Sequence, residues 1–199
     1  MSDPRIALLG KCGPDDWRGD LIEARAADVR SELMNWQRSQ NQQGRKFNYR
    51  DDSEAYRSVR EEQALDPQFE LRLRGFRLLG PFPMVREHPH YGMPWWRDKI
   101  FDLNRYRIER ADMVFAYINE MDCFGTLPEI GHAAQLKKKK PKWEQRPLGI
   151  CFGPGLTRKD RDELWCIERH ATRVYEGPVK DAFEAFLDHA WQKTPFHRT

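Results

Sequence analysis

Clustered cysteines are missing from this chain. Cys12, Cys123, Cys151 and Cys166 are scattered with no C-x-x-C pair. A structural zinc site or a disulfide framework needs patterned cysteines, so reduced thiols and a cytoplasmic location are expected over either. No apolar run approaches the roughly 20 residues of a membrane-spanning helix, so no membrane partner is expected. The start, MSDPRIALLG, has no basic region leading into a long apolar one, and no signal peptide is expected. An excess of one charge is missing too. The 34 basic side chains nearly balance the 31 acidic ones, leaving +3, which argues weakly for an anionic ligand and gives no broad basic face for nucleic acid. The one dense charge run, Lys137 to Lys140, falls at a predicted helix end, where lysines suit the dipole. His88 and His90 flank Pro89 without a third ligand at useful spacing, so no metal or other cofactor is expected. There is no internal repeat, no G-x-G-x-x-G and no Walker A loop.

What remains is 199 residues of alternating apolar runs and amphipathic stretches, enough for one domain with a real core. Strands are predicted at Ile6 to Leu9, Phe76 to Leu79, Met113 to Ile118, Leu148 to Phe152 and Arg173 to Tyr175. Helices are predicted from Trp17 to about Gln40, Trp95 to Arg110, Leu127 to Lys138, Arg158 to His170 and Asp181 to Gln192. Residues 41–68 are polar and poor in aliphatics, and read as an insertion. Strand-helix alternation of this kind predicts an α/β, Rossmann-like or flavodoxin-like three-layer domain with a mostly parallel five-stranded sheet. Such sheets bind ligands beyond the carboxyl ends of their strands.

The stretch NEMDCFGTLPEIGHAA, Asn119 to Ala134, lies just past the third predicted strand. Glu129 within it admits two readings. Thr126-Leu127-Pro128-Glu129 has the form of a capping box, with Pro128 tolerated in a first turn. Alternatively, a carboxylate in a helix's first turn is kept ionised by the dipole, as a carboxylate nucleophile must be. Asp122 in the same loop and Asp112 at the strand's start are an ordinary turn former and strand-entry residue when taken alone. Together with Glu129 they form a set that permits one acid to attack a sugar carbon while another manages a proton.

The pattern ADMVFAYI…DCFGTLPEIGHAA resembles the nucleoside 2-deoxyribosyltransferase family and its nucleoside or nucleotide N-glycosidase relatives. The segments IALLG…WRGD, FRLLGPFPMVREHPHYG and WRDKIFDLNRYRIERADMVFAYI resemble, in order, the family's first strand with its glycine loop and Trp-Arg pair, its second strand, and the helix feeding its central strand. The likeness covers about two-thirds of the chain in short pieces; 41–68 has no counterpart. The resemblance implies cleavage or exchange of the N-glycosidic bond of nucleosides or 5′-nucleotides, without a cofactor. In that reading Glu129 attacks C1′, Asp122 handles the proton of the base, and Asp112 supports the sugar or the base. The resemblance also implies a homo-oligomer. Gly10, Trp17, Arg18, Gly80, Phe82, His88, Gly125 and Thr126 match its substrate-binding positions.

Plainer readings stand beside these. Gly10 is also what a tight turn needs, Trp17 what a core or rim needs, and Arg18 either meets a 5′-phosphate or faces solvent. Two other functions fit the same acids: a non-catalytic nucleotide-sensing domain, in which Glu129 only caps its helix, and a glycohydrolase of an NAD-type dinucleotide.

Overall fold

Residues six to nine and 113–118 turn alternate side chains to opposite faces of one sheet, and both sets are buried. The computed structural model describes residues 3–11, 17–22, 71–79, 94–138 and 146–193. Its strands are β1 (Arg5–Gly10), β2 (Leu71–Leu73), β3 (Phe76–Leu78), β4 (Met113–Ile118), β5 (Leu148–Phe152) and β6 (Arg173–Glu176). Its helices are α1 (Arg18–Ile22), α2 (Pro94–Arg110), α3 (Thr126–Lys138), α4 (Arg158–Glu163), α5 (Trp165–Glu168) and α6 (Val179–Lys193).

The sheet runs β2-β3-β1-β4-β5-β6. Its five predicted strands are all present and parallel to their neighbours among themselves. The addition is β2, three residues long and antiparallel to β3 at the edge. The Arg74-Gly75 turn between them has both residues at positive φ. Nothing in the short stretch Leu71–Leu73 distinguishes it from a polar linker, so pairing, not pattern, makes it a strand.

Ile6, Leu8, Met113, Phe115 and Tyr117 pack against Phe183, Phe186 and Leu187 of α6. Ala7, Leu9, Val114, Ala116 and Ile118 pack against Ile108 of α2 and Ile130, Ala133 and Ala134 of α3. Because both faces are covered, β4 is buried at every position, which is why it reads as a continuous apolar run. The three-layer α/β architecture is as the alternation predicts.

The helix expected from Arg158 to His170 is broken at Leu164, which separates α4 from α5. Neither piece has a buried residue, whereas Leu164 is buried, so the chain turns to bring that one apolar side chain inward. No helix among the described residues is long and apolar enough to cross a membrane. The predicted insertion at 41–68 and most of the helix from 17 to 40 lie outside the described residues.

Candidate active site

Strand order reverses between β1 and β4. The chain leaves β1 toward β3 and leaves β4 toward β5, so the carboxyl ends of this central pair border the crevice where open parallel sheets take ligands. Gly10 and Lys11 stand at one side of it and the loop 119–125 at the other. A Cβ on Gly10 would lie 2.6 Å from Trp17 Nε1 and 2.9 Å from the Tyr117 carbonyl oxygen, so only glycine lets Trp17 close over the strand ends. Trp17 is buried on Tyr117 and Phe115, with ring centroids 5.3 and 6.1 Å away. Its plainer reading, core packing, accounts for it. A side chain on Gly153 would clash with Tyr117 and with Asn119, whose Oδ1 accepts from the Gly155 N–H at 2.8 Å and ties the loop after β4 to the loop after β5.

Glu129 lies in the first turn of α3, at the carboxyl end of the sheet. The capping-box reading requires its carboxylate to accept from the Thr126 N–H. That N–H instead donates to the Cys123 carbonyl at 2.9 Å. Glu129 Oε1 accepts from Asn104 Nδ2 of α2 at 2.7 Å. The side chain is largely enclosed, and this burial pushes its carboxyl up from the ordinary glutamate value. The Asn104 hydrogen bond and the charges of Arg18 and Arg107 work against that shift and favour the ionised form.

Arg18 does not face solvent. It is fully buried, and its Nη2 donates to the carbonyls of Leu8 and Gly10, both at 3.1 Å. Strand β3 pairs with β1 only at Arg5 and Ile6, with the Leu79 N–H reaching the Ile6 carbonyl. The next carbonyls on that edge of β1 belong to Leu8 and Gly10, two and four residues on, and one guanidinium bonds both beyond the point where the β3 ladder ends. Its plane also lies over the Trp17 ring, 4.6 Å from the centroid. Arg18 is therefore a buried cation that braces β1 and contributes its field to Glu129.

Asp112 does not join the other two acids. Asp122 is exposed at the crevice rim, where Lys11 Nζ meets its Oδ2 at 2.6 Å and Glu120 Oε1 at 3.0 Å. The Lys11 hydrogen bond holds the Asp122 carboxyl below its usual range. Asp112 sits at the opposite end of β4. Its Oδ2 accepts from the Arg5 backbone N–H at 2.8 Å and Arg5 Nε at 3.2 Å, and the Asp112 N–H returns a bond to the Arg5 carbonyl. Six residues of strand, about 20 Å, separate that end from the crevice. The expectation that Asp112 supports the sugar or base is thus overturned: it clasps the amino end of the sheet.

Thr126 is buried at the start of α3, and Gly125 is exposed beside it with open space where a Cβ would go. Gly80, Phe82, His88 and His90 lie outside the described residues. Among the described residues no group of three His, Cys, Asp or Glu side chains is placed to hold a metal ion.

Two site residues, Asn104 and Arg107, are not evident from the sequence. The signal that exposes Asn104 is its spacing: it lies four and seven residues before Ile108 and Ala111, both buried, so a polar amide occupies the inner stripe of α2. Compared with family models, curated proteins and solved structures, the chain matches none.

Proposed function

We propose that this protein cleaves or exchanges the N-glycosidic bond of a nucleoside or nucleoside 5′-monophosphate, with Glu129 as the nucleophile. The observation that supports the reading is the release of Glu129 from capping duty: its backbone partner is taken by Cys123, and its carboxylate is held by Asn104 in the first turn of the helix that follows β4. The resemblance of the Gly125 to Ala133 stretch to the deoxyribosyltransferase pattern supports the same role.

The reaction asks for charge stabilisation of one kind. As the C1′–N bond breaks, positive charge grows on the sugar ring and the bonding electron pair leaves with the base. An oxygen of Glu129 forms a bond to C1′, giving a glycosyl ester, while the departing base nitrogen takes up a proton from water. In the second step water, or the nitrogen of another base, attacks C1′ from the other side, loses a proton, and frees the carboxylate. The outcome is retention at C1′. Asp122, kept ionised by Lys11, suits acceptance of the proton from the second nucleophile better than donation to the first leaving group. This reassigns the proton role that the resemblance implies.

The experiment is chromatography of the protein incubated with a panel of nucleosides and 5′-monophosphates, with and without a second free base. Free base alone identifies a hydrolase, and a swapped base identifies a transferase. Binding without turnover across the panel would contradict the proposal and favour a nucleotide sensor.

A further inference from the structure

An asparagine inside a helix is unfavourable on propensity, and a buried amide is unfavourable unless both its ends are bonded. Asn104 is 6% exposed and mid-helix in α2, yet both ends are used. Arg107 Nη1 donates to its Oδ1 at 3.3 Å, and its Nδ2 donates to Glu129 Oε1 at 2.7 Å. The two contacts are not interchangeable. A guanidinium has only donors, so the amide end that faces Arg107 must be the oxygen. The end that faces Glu129 is then the NH2 group, which bonds an ionised carboxylate. Were the amide reversed, its carbonyl would face Glu129 and favour the protonated acid. Arg107 thus helps to select the charge state of Glu129 through a side chain that lies between them.

The second consequence concerns the two carboxylate oxygens. Oε1 is tied to Asn104. Among the described residues, Oε2 receives no hydrogen bond. A carboxylate held by one oxygen keeps its orientation while the other oxygen stays open to bond formation. We propose that Arg107 and Asn104 form a positioning relay for Glu129: Arg107 fixes which end of the Asn104 amide faces the carboxylate, and Asn104 restrains Oε1 so that Oε2 is the oxygen presented for bond formation. The relay rests on Glu129 being the reacting group, but its test does not depend on turnover. The charges that bear on Glu129 are Arg107 from α2 and Arg18 from α1, and Arg18 remains in place in every variant below.

The test is an NMR pH titration of the full chain labelled with 13C at glutamate Cδ, with the Glu129 signal assigned by Glu129→Gln. Asn104→Leu keeps the volume and removes the donor. It is expected to raise the Glu129 midpoint by about one pH unit or more. Arg107→Gln is expected to raise it as well. Part of that effect is direct charge, so the double variant should shift by less than the sum of the two single shifts. An unmoved midpoint in Asn104→Leu, or full additivity in the double variant, would overturn the relay. Should Asn104→Leu fail to fold, Asn104→Asp serves in its place. Two facing carboxylates would then titrate in two steps, with the upper midpoint above that of the wild type; an unchanged Glu129 signal would count against the relay. Moved midpoints in a protein that turns over no nucleoside would leave the relay standing and remove the glycosidase reading. Turnover with unmoved midpoints would do the reverse.

Discussion

Arg5 and Asp112 fasten the first residue of β1 to the entrance of β4, through the Arg5 backbone N–H at 2.8 Å and its guanidinium. The pair is about one-third exposed, so water and salt screen much of its charge. Asp112→Ala is expected to cost about 1–2 kcal/mol of stability, mostly from the backbone N–H left without its acceptor. It should leave kcat/KM for base release unchanged. Urea denaturation beside a turnover assay checks both, and a large activity loss in a folded variant would return Asp112 to the site.

Arg18 carries a heavier structural role. Arg18→Met removes the guanidinium donor to two buried carbonyls, Leu8 and Gly10, and is expected to cost about 1–3 kcal/mol. The variant should show a clearly lowered denaturation midpoint. Its surviving folded fraction should bind nucleosides and their 5′-monophosphates in the wild-type ratio, because the Arg18 guanidinium is buried on the Leu8 and Gly10 carbonyls. Calorimetric titration with the two ligand classes decides it.

The half-buried acid Glu129 gives a stability signature of opposite sign to the usual one. Glu129 has a folded pKa above its unfolded value, so the folded state binds more protons through that interval and loses stability as pH rises across it. Above the interval the ionised side chain is a net cost. Glu129→Gln keeps the shape and the bond from Asn104, and should melt at a higher temperature than the wild type near pH 8. The difference should vanish as pH falls below the ordinary glutamate range, where both side chains are neutral. Melting curves from pH 4 to pH 8 measure it; a wild type that gains on the variant with rising pH would refute the assignment.

Lys11 and Asp122 should respond to salt. The Asp122 carboxyl is held low by an exposed partner, so its stabilising contribution is present above the unfolded value and lost as pH falls through the folded one. Lys11→Met is expected to return the Asp122 midpoint toward the ordinary aspartate range, and 1 M NaCl should do part of the same in the wild type. Carboxyl NMR titration reads both. A midpoint indifferent to the lysine would mean that the loop, not Lys11, sets it.

The parallel strands were legible because burial on both faces writes itself as unbroken apolar runs, Met113 to Ile118 most clearly. Strand β2 was not, since three residues carry no period. Two stretches with similar signatures part company. Thr157-Arg158-Lys159-Asp160 forms a true capping box, with Asp160 N–H to Thr157 Oγ1 at 3.2 Å and Thr157 N–H to Asp160 Oδ2 at 2.8 Å. Thr126-Leu127-Pro128-Glu129 does not, because the turn at Cys123 takes the Thr126 N–H and Asn104 takes the acid. Sequence spacing describes only the local competitors for a carboxylate, and the one that wins here comes from 25 residues away. Asp112 misleads for a related reason: a strand-entry acid and a crevice acid are close in sequence but lie at opposite ends of β4. Asn104 is not legible in the sequence because a polar residue on the buried stripe interrupts the apolar period.

The central claim is that the carboxylate of Glu129 bonds to the anomeric carbon. Acid-quenching the protein during turnover, followed by mass spectrometry of its peptides, tests this most directly. The account predicts a pentosyl adduct on the peptide containing Glu129, absent from Glu129→Ala, whose base release should fall by at least about a thousandfold. Base release at the wild-type rate from a folded Glu129→Ala protein, or an adduct on another residue, would contradict it.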